Sequence, residues 1–371
     1  MTPNSPAEMP VANSKASPET PDSPTLIIGA AGFIGGFVAD ASLATGRTTY
    51  ILVRPGPVTP SKAKLIGAFR DKGAIILHGK MDDRELMEKI LKEHKIEVVI
   101  SAVGGDSILG QLNLVDAISS VGTVKRFLPS EFGHDIDRAD PVEPGLTMYN
   151  NKRKIRRMVE ESGIPYTYIC CNSIAAWPYH DNTHPSEVLP PLDEFHIYGD
   201  GSVKAYFVDG TDIGKLTMKA IDDARTLNKL VHFRPACNCL NMNELASLWE
   251  KIIGRTLPRV TVTENDLLTA AQEMVIPRSI VASLTHDIFI KGCQINFAID
   301  GPNEIEVTSL YPDAPFKTIE ESFSKYVEGK VLDQPVVAEE GVKPMVDSLP
   351  VEDGLSKNPI VESLPVAATC A

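Results

Sequence analysis

A doubly wound parallel α/β sheet with a smaller C-terminal lobe is predicted by three observations. Short apolar runs alternate with helical patterns as far as residue 172, a glycine-rich turn joins the first run to the first helix, and beyond 172 the alternation breaks into loops rich in Pro, Asp and Gly. Such alternation is the mark of βαβ units, whose parallel strands are covered by helices on both faces.

The apolar runs place strands at 25–30, 49–53, 74–78, 98–103, 124–128 and 166–171. Each is too short for a helix, and most are rich in Val, Ile and Leu, as strands buried on both faces are. Between them the spacing predicts helices at 33–45, 61–72, 83–94, 107–121 and 149–162. Together these form a domain over 24–172. Helical stretches near 211–225, 241–254 and 264–291 are assigned to a mainly substrate-binding domain, 173–330, at the carboxyl edge of the sheet. Ligands bind at that edge in folds of this class.

The ends read differently. Residues 1–23 hold five prolines and no aromatic residue, and residues 331–371 lack Phe, Trp and Tyr while carrying seven acids against Lys343 and Lys357. Neither stretch has the apolar surface to offset the entropy of ordering, so both are expected to be disordered tails. Subtracting their charges of −2 and −5 from the total of −13 leaves −6 for 24–330. In the second tail, Val346 to Val351 recurs as Val361 to Val366, a docking motif or low-complexity drift.

Across all 371 residues, 43% are hydrophobic and 23% charged, an ordinary globular mix. No apolar run approaches the ~18 residues that cross a bilayer, and neither a signal peptide nor a transit peptide is read at the N-terminus. A cytoplasmic protein is expected. The charge of −13 opposes nucleic acid and anionic membrane, so neither is an expected partner. Six cysteines are too few for a disulfide framework, and Cys237-Asn-Cys239 lacks nearby ligands beyond His232, so no metal is expected and the thiols are taken as reduced. Cys170 and Cys171 read as small buried hydrophobes.

The first turn is Gly29-Ala30-Ala31-Gly32-Phe33-Ile34-Gly35. In a strand–turn–helix context the first glycine permits the tight turn, the second lets backbone approach a pyrophosphate, and the third permits close helix–strand packing. This is the Rossmann dinucleotide pattern. An NAD site would place a carboxylate about 20 positions on, to hold the ribose 2′-hydroxyl. Here Arg54 follows the second strand, where its guanidinium would instead bind a 2′-phosphate, with Lys62 as a second charge or merely a solvated lysine. The cofactor expected is therefore NADPH. Ser101 and Gly104, closing the fourth strand, are small, as backbone running beside a cofactor requires.

The Tyr-x-x-x-Lys dyad of typical short-chain reductases is absent in its usual form, because Tyr149-Asn-Asn-Lys152-Arg153 puts lysine at i+3 and arginine at i+4. Arginine cannot serve as a base. Lysine can, when burial favours its neutral form.

The strings 29–35, Arg126-Phe-Leu-Pro-Ser-Glu-Phe-Gly-His134-Asp135 and Lys152-Arg-Lys-Ile-Arg-Arg157 resemble the plant isoflavone reductase-like family, atypical short-chain dehydrogenase/reductases that use NADPH. That family includes pinoresinol-lariciresinol and phenylcoumaran benzylic ether reductases. Arg126 to Pro129, Ile169-Cys-Cys-Asn172 and Thr285-His-Asp287 are similar to its leucoanthocyanidin reductase branch, as is the acidic C-terminal extension. The resemblance spans 24–330 and implies a catalytic Lys152 assisted by His134, with a flavonoid as the small-molecule substrate. The chain departs from the family at Ala31, where threonine is common.

The implied reaction suits these residues. In a flavan-3,4-diol, C4 is saturated and carries a hydroxyl, which must leave before hydride attacks. A para phenol, once deprotonated, expels it and leaves an electrophilic quinone methide. A base, a proton carrier and a hydride donor are needed. Lys152 is expected to be the base, and His134, with a reference pKa near 6.5, to carry the proton unless it is only a structural hydrogen-bonder. His134, Tyr149 and Asn172 are candidate substrate contacts, with Trp177, Tyr179 and His184 on the following loop; these aromatics equally suit ordinary core. Alternatives are reduction of lignan benzylic ethers or isoflavones, and a non-catalytic NADP-sensing regulator. The five basic residues among 152–157 are expected on a solvated helix face, with Arg156–Glu160 and Arg157–Glu161 as i,i+4 pairs. Oligomeric state has no signal in the sequence.

Overall fold

The computed structural model describes residues 23–175 and 192–328. The two expected tails, Ser23 apart, and the loop residues Trp177, Tyr179 and His184 lie outside the described residues. Five βα steps come first: β1 (Thr25–Ile28), α1 (Phe33–Ala44), β2 (Thr49–Val53), α2 (Pro60–Asp71), β3 (Ile75–His78), α3 (Arg84–Glu93), β4 (Val98–Ser101), α4 (Gln111–Val121), β5 (Arg126–Leu128) and α5 (Gly145–Ser162). Then follow β6 (Thr167–Cys170), β7 (Ser173–Ile174), β8 (Phe195–Tyr198), β9 (Lys204–Val208) and α6 (Gly210–Asp222). The remainder is β10 (Lys229–His232), β11 (Cys239–Asn241), α7 (Met242–Ile253), β12 (Arg259–Val262), α8 (Glu264–Gln272), α9 (Arg278–Phe289), β13 (Glu304–Glu306), α10 (Val307–Leu310) and α11 (Ile319–Glu328).

The first sheet runs β3-β2-β1-β4-β5, all parallel, with Ile28 opposite both Leu52 and Ser101. Its order reverses beside β1, so the loops after β1 and β4 diverge and open a crevice at their carboxyl ends. A bridge from Phe127 to Tyr166 carries the parallel arrangement into β6, β10 and β13. β10 and β13 have no counterpart among the expected strands, and they draw residues from beyond 172 into the same layer. Leu26, Val99, Phe127 and Tyr168 anchor the core on one face; Ile27, Ile100, Leu128 and Ile169 anchor it on the other. Alternation along each strand sends neighbours to opposite faces.

The single helix expected over 264–291 is two helices. Met274 turns the chain out of α8 with φ of 54°, and Pro277, which has no N–H to continue a helix, stands at the N-cap of α9. Smaller sheets (β7-β9-β11 and β8-β12) lie between β6 and α8. Among the described residues no helix is long and apolar enough to cross a membrane.

Candidate active site

The glycine turn is shaped by contacts that exclude a side chain. Gly29 sits at φ 87°, and a Cβ there would come 2.1 Å from the carbonyl oxygen of Ala102; one on Gly35 would meet the Gly29 oxygen at the same distance. The loop thus passes against β4 and α1 at backbone distance. Gly32 is the N-cap of α1, whose first turn carries no acidic residue and no side-chain cap. Its amides are left for an anion, and the helix dipole favours one. Ala30 is buried, Ala31 half-buried and Phe33 exposed, while Ile34 is packed in the core.

Arg54 is exposed immediately past β2, at the same edge as the glycine turn. Lys62 is half-buried in the first turn of α2, and its amide donates to the Thr59 hydroxyl that caps the helix. Ser101 ends β4 fully buried, with an Oγ that has no partner among the described residues. Gly104 lies two residues past the contact of Ala102 with the glycine turn. These residues fit a dinucleotide: a backbone cradle, an uncapped helix N-terminus, an unpaired buried hydroxyl and a cation beyond β2.

The loop after β5 and one face of α5 form the other half. Tyr149, Lys152 and Arg156 follow at i, i+3 and i+7, so the helical repeat places them on one side, and all are buried. Lys152 is 4% exposed, and its Nζ donates to the backbone oxygen of Glu131 at 2.9 Å. Arg156 grips the Glu131 carboxylate with two bonds of 2.9 Å and reaches Asp135 and Asp137 at 3.0 Å each. Burial works against its charge, but these acids hold its pKa well above the ordinary value. The expectation of a solvated face therefore fails here. Arg156 turns inward to the β5 loop in place of Glu160, and Arg157 pairs with Asp137 and Glu160 in place of Glu161. Arg153 donates to the Ile136 and Ala139 carbonyls.

His134 is 4% exposed, 5.8 Å from the Tyr149 ring, and its Nδ1 faces the Gln294 amide nitrogen at 3.0 Å. Burial, then the charge of Lys152, push its pKa down to about 3. That is well below the reference value near 6.5 and favours the uncharged imidazole at neutral pH. Phe132 (φ 38°) and Asn172 (φ 59°) hold left-handed backbone around it, tied by the Asn172 amide bond to the Gly133 oxygen at 2.9 Å. The Asn172 side chain is committed to the Phe233 carbonyl at 2.9 Å and so joins two strands.

Glu131, Arg156 and Gln294 were not among the expected site residues. Arg156 was legible as the next turn from Lys152, whereas Gln294 lies 160 positions from His134 and follows no periodic pattern. Cys170 and Cys171 are buried free thiols raised in pKa by burial, Cys171 to about 12. Asp135, His232 and Glu304 cluster within 4.8 Å, but Arg138 pairs with both acids and Arg156 with Asp135, so their charge is already answered.

The NmrA-like family model matches residues 21–323. The chain belongs to the NmrA-like family. A leucoanthocyanidin reductase of Desmodium uncinatum is 62% identical over 314 residues, 85% of this chain and 82% of that one. A phenylcoumaran benzylic ether reductase of Ginkgo biloba is 46% identical, covering 81% and 98%. The leucoanthocyanidin reductase–NADPH complex of Vitis vinifera superposes with a TM-score of 0.79 at 68% identity, over 82% of this chain and all of that one. Within the NmrA-like family the chain thus sits with the isoflavone reductase-like enzymes of plants.

Proposed function

We propose that the chain is a leucoanthocyanidin reductase, taking flavan-3,4-diols to flavan-3-ols such as catechin with NADPH, in flavonoid and proanthocyanidin biosynthesis. The observation that carries this is the burial of Lys152 and His134 on α5 and the loop after β5, in a sheet whose β1 edge carries a dinucleotide cradle and in a chain 62% identical to a leucoanthocyanidin reductase. When bound, NADPH supplies the hydride for C4. The amides at the start of α1 and the turn 29–35 hold its pyrophosphate, Arg54 and Lys62 its 2′-phosphate, and Ser101 and Gly104 border it.

Lys152, in its neutral form, takes the phenol proton, and the phenolate electrons expel the C4 hydroxyl. The departing oxygen, hydrogen-bonded by neutral His134 directly or through water, leaves as water by taking the proton that Lys152 gained from the phenol, relayed through solvent. The site partner is a small flavonoid, which His134, Tyr149 and Asn172 border; the protein acts in the cytoplasm and needs neither nucleic acid nor membrane. The βα units up to 172 hold the cofactor, and residues from 173 on mainly cover substrate while lending β10 and β13 to the same layer.

Incubation with a flavan-3,4-diol and C4-deuterated NADPH tests the reading. Deuterium should appear at C4 of a flavan-3-ol. Reduction of a phenylcoumaran or an isoflavone instead would assign the chain to a sibling activity, and cofactor binding without turnover on any of the three would leave a regulator.

A further inference from the structure

We propose that Gln294 is a positioning residue that fixes the tautomer of His134, so that Nε2 carries the ring hydrogen into the reaction. The side chain is 1% exposed and lies beyond α9, far in sequence from the catalytic loop. Its orientation is set by a group that can only donate: the backbone N–H of Tyr206 gives its hydrogen to Gln294 Oε1 at 3.0 Å. Oε1 is thereby fixed, and the amide nitrogen must point the other way. That nitrogen lies 2.8 Å from Ser173 Oγ and 3.0 Å from His134 Nδ1, one hydrogen for each. An amide N–H facing Nδ1 requires a lone pair there, so a neutral imidazole holds its hydrogen on Nε2.

The consequence is chemical. A histidine held neutral by burial cannot act as imidazolium, so its usefulness rests on which nitrogen bears the hydrogen. With Nε2–H it donates to an oxygen that gains negative charge as the C–O bond breaks. With Nδ1–H the same ring would turn a lone pair on that oxygen. This assignment deepens the reductase reading and rests on it for its catalytic meaning, although the tautomer itself is a property of the free protein.

The experiment is a ring 15N–1H correlation spectrum of the full chain labelled in histidine, with His134 identified by the signal lost in His134→Asn. Nε2 should show the protonated type of shift and Nδ1 the unprotonated type, unchanged from pH 5 to 8. Gln294→Glu then reverses the polarity while keeping acceptors for Tyr206 N–H and the Ser173 hydroxyl. His134 should move to Nδ1–H, and kcat should fall by about 10–100-fold with the KM for NADPH within about twofold. The titratable groups known to face the ring are Lys152 and Tyr149 of α5. The new carboxylate favours imidazolium against Lys152, so lowering the pH should restore Nε2–H and part of kcat, a limb absent from the wild type. A purely structural Gln294 would leave the pH profile of the variant parallel to wild type, and that result overturns the proposal. So does an Nδ1–H signal in the wild-type spectrum, which decides the matter even if the variant does not fold. A wild-type chain that reduces no flavan-3,4-diol yet shows Nε2–H supports the tautomer and sinks the substrate.

Discussion

The turn at 29–35 and the loop from Glu131 to Asp135 leave the same edge of one sheet, but the first is shaped by backbone and the second by buried charge. At the turn, the decisive atoms are the Ala102 and Gly29 carbonyls and the uncapped amides of α1. Of its predicted ionic contacts, Arg54 is exposed and Lys62 half-buried. At the catalytic loop, Lys152, Arg156, Glu131, Asp135 and His134 are each at most 4% exposed. A backbone cradle binds whatever phosphate arrives. A buried ionic network must be complete before it is worth its desolvation, and it holds a lysine and an imidazole in fixed positions.

The sharpest way to break this contrast is to remove the charge at its centre. Arg156→Met leaves Glu131 and Asp135 without their buried partner, and the expected loss is about 3–5 kcal/mol, read as a lower denaturant midpoint. A loss below about 1 kcal/mol would mean that water, not Arg156, satisfies the acids. Next comes Lys152→Met, which keeps the length of the side chain and removes its basic nitrogen. Turnover should drop about 10²–10⁴-fold while NADPH affinity, measured by fluorescence titration, is retained. Lys152→Arg should do no better, since a guanidinium has no lone pair to offer. Normal turnover by either variant would end the base-initiated elimination.

That contrast also governs what could be read from residues alone. The strands of the first sheet and the glycine turn were legible because their signals are local: a run of Val and Ile, or three glycines at fixed offsets. Lys152 and His134 were marked by a family resemblance. The basic run 152–157 was misread because charge spacing on one helix implied i,i+4 partners, whereas Arg156 finds three acids on another segment. β10 and β13, three or four residues each, emerge only when paired, and Gln294 gains its role from a contact across 160 positions. Long-range partners of this kind leave no local pattern.

Acid sensitivity sharpens the same comparison from the catalytic side. His134 is held near 3 and His232 near 4 in the folded chain, both chiefly by burial, against about 6.5 when unfolded. Below about 6.5 the unfolded chain binds protons that the folded one refuses, so stability is full above that value and falls as pH drops toward the folded values. Each residue should contribute a slope approaching about 1.4 kcal/mol per pH unit in that window. His134→Asn should flatten the curve of denaturant midpoint against pH between 4 and 6. An unchanged slope would show that His134 is charged in the folded protein.

The smallest effect belongs to the cofactor side. Arg54→Ala removes an exposed guanidinium that meets the 2′-phosphate in solvent, where screening limits a charge-assisted bond to the low end of its range. The KM for NADPH should rise about tenfold while that for NADH barely moves, and kcat should hold because the residue is remote from Lys152. Raising the salt concentration should shrink the difference between wild type and variant, since both charges face water. A parallel rise for both cofactors would take Arg54 out of the 2′-phosphate site and shift the discrimination to Lys62, another cation beyond β2, in the first turn of α2. A fall in kcat comparable to that of Lys152→Met would break the contrast itself, because a backbone cradle should tolerate losing one exposed side chain without disturbing the chemistry beyond it.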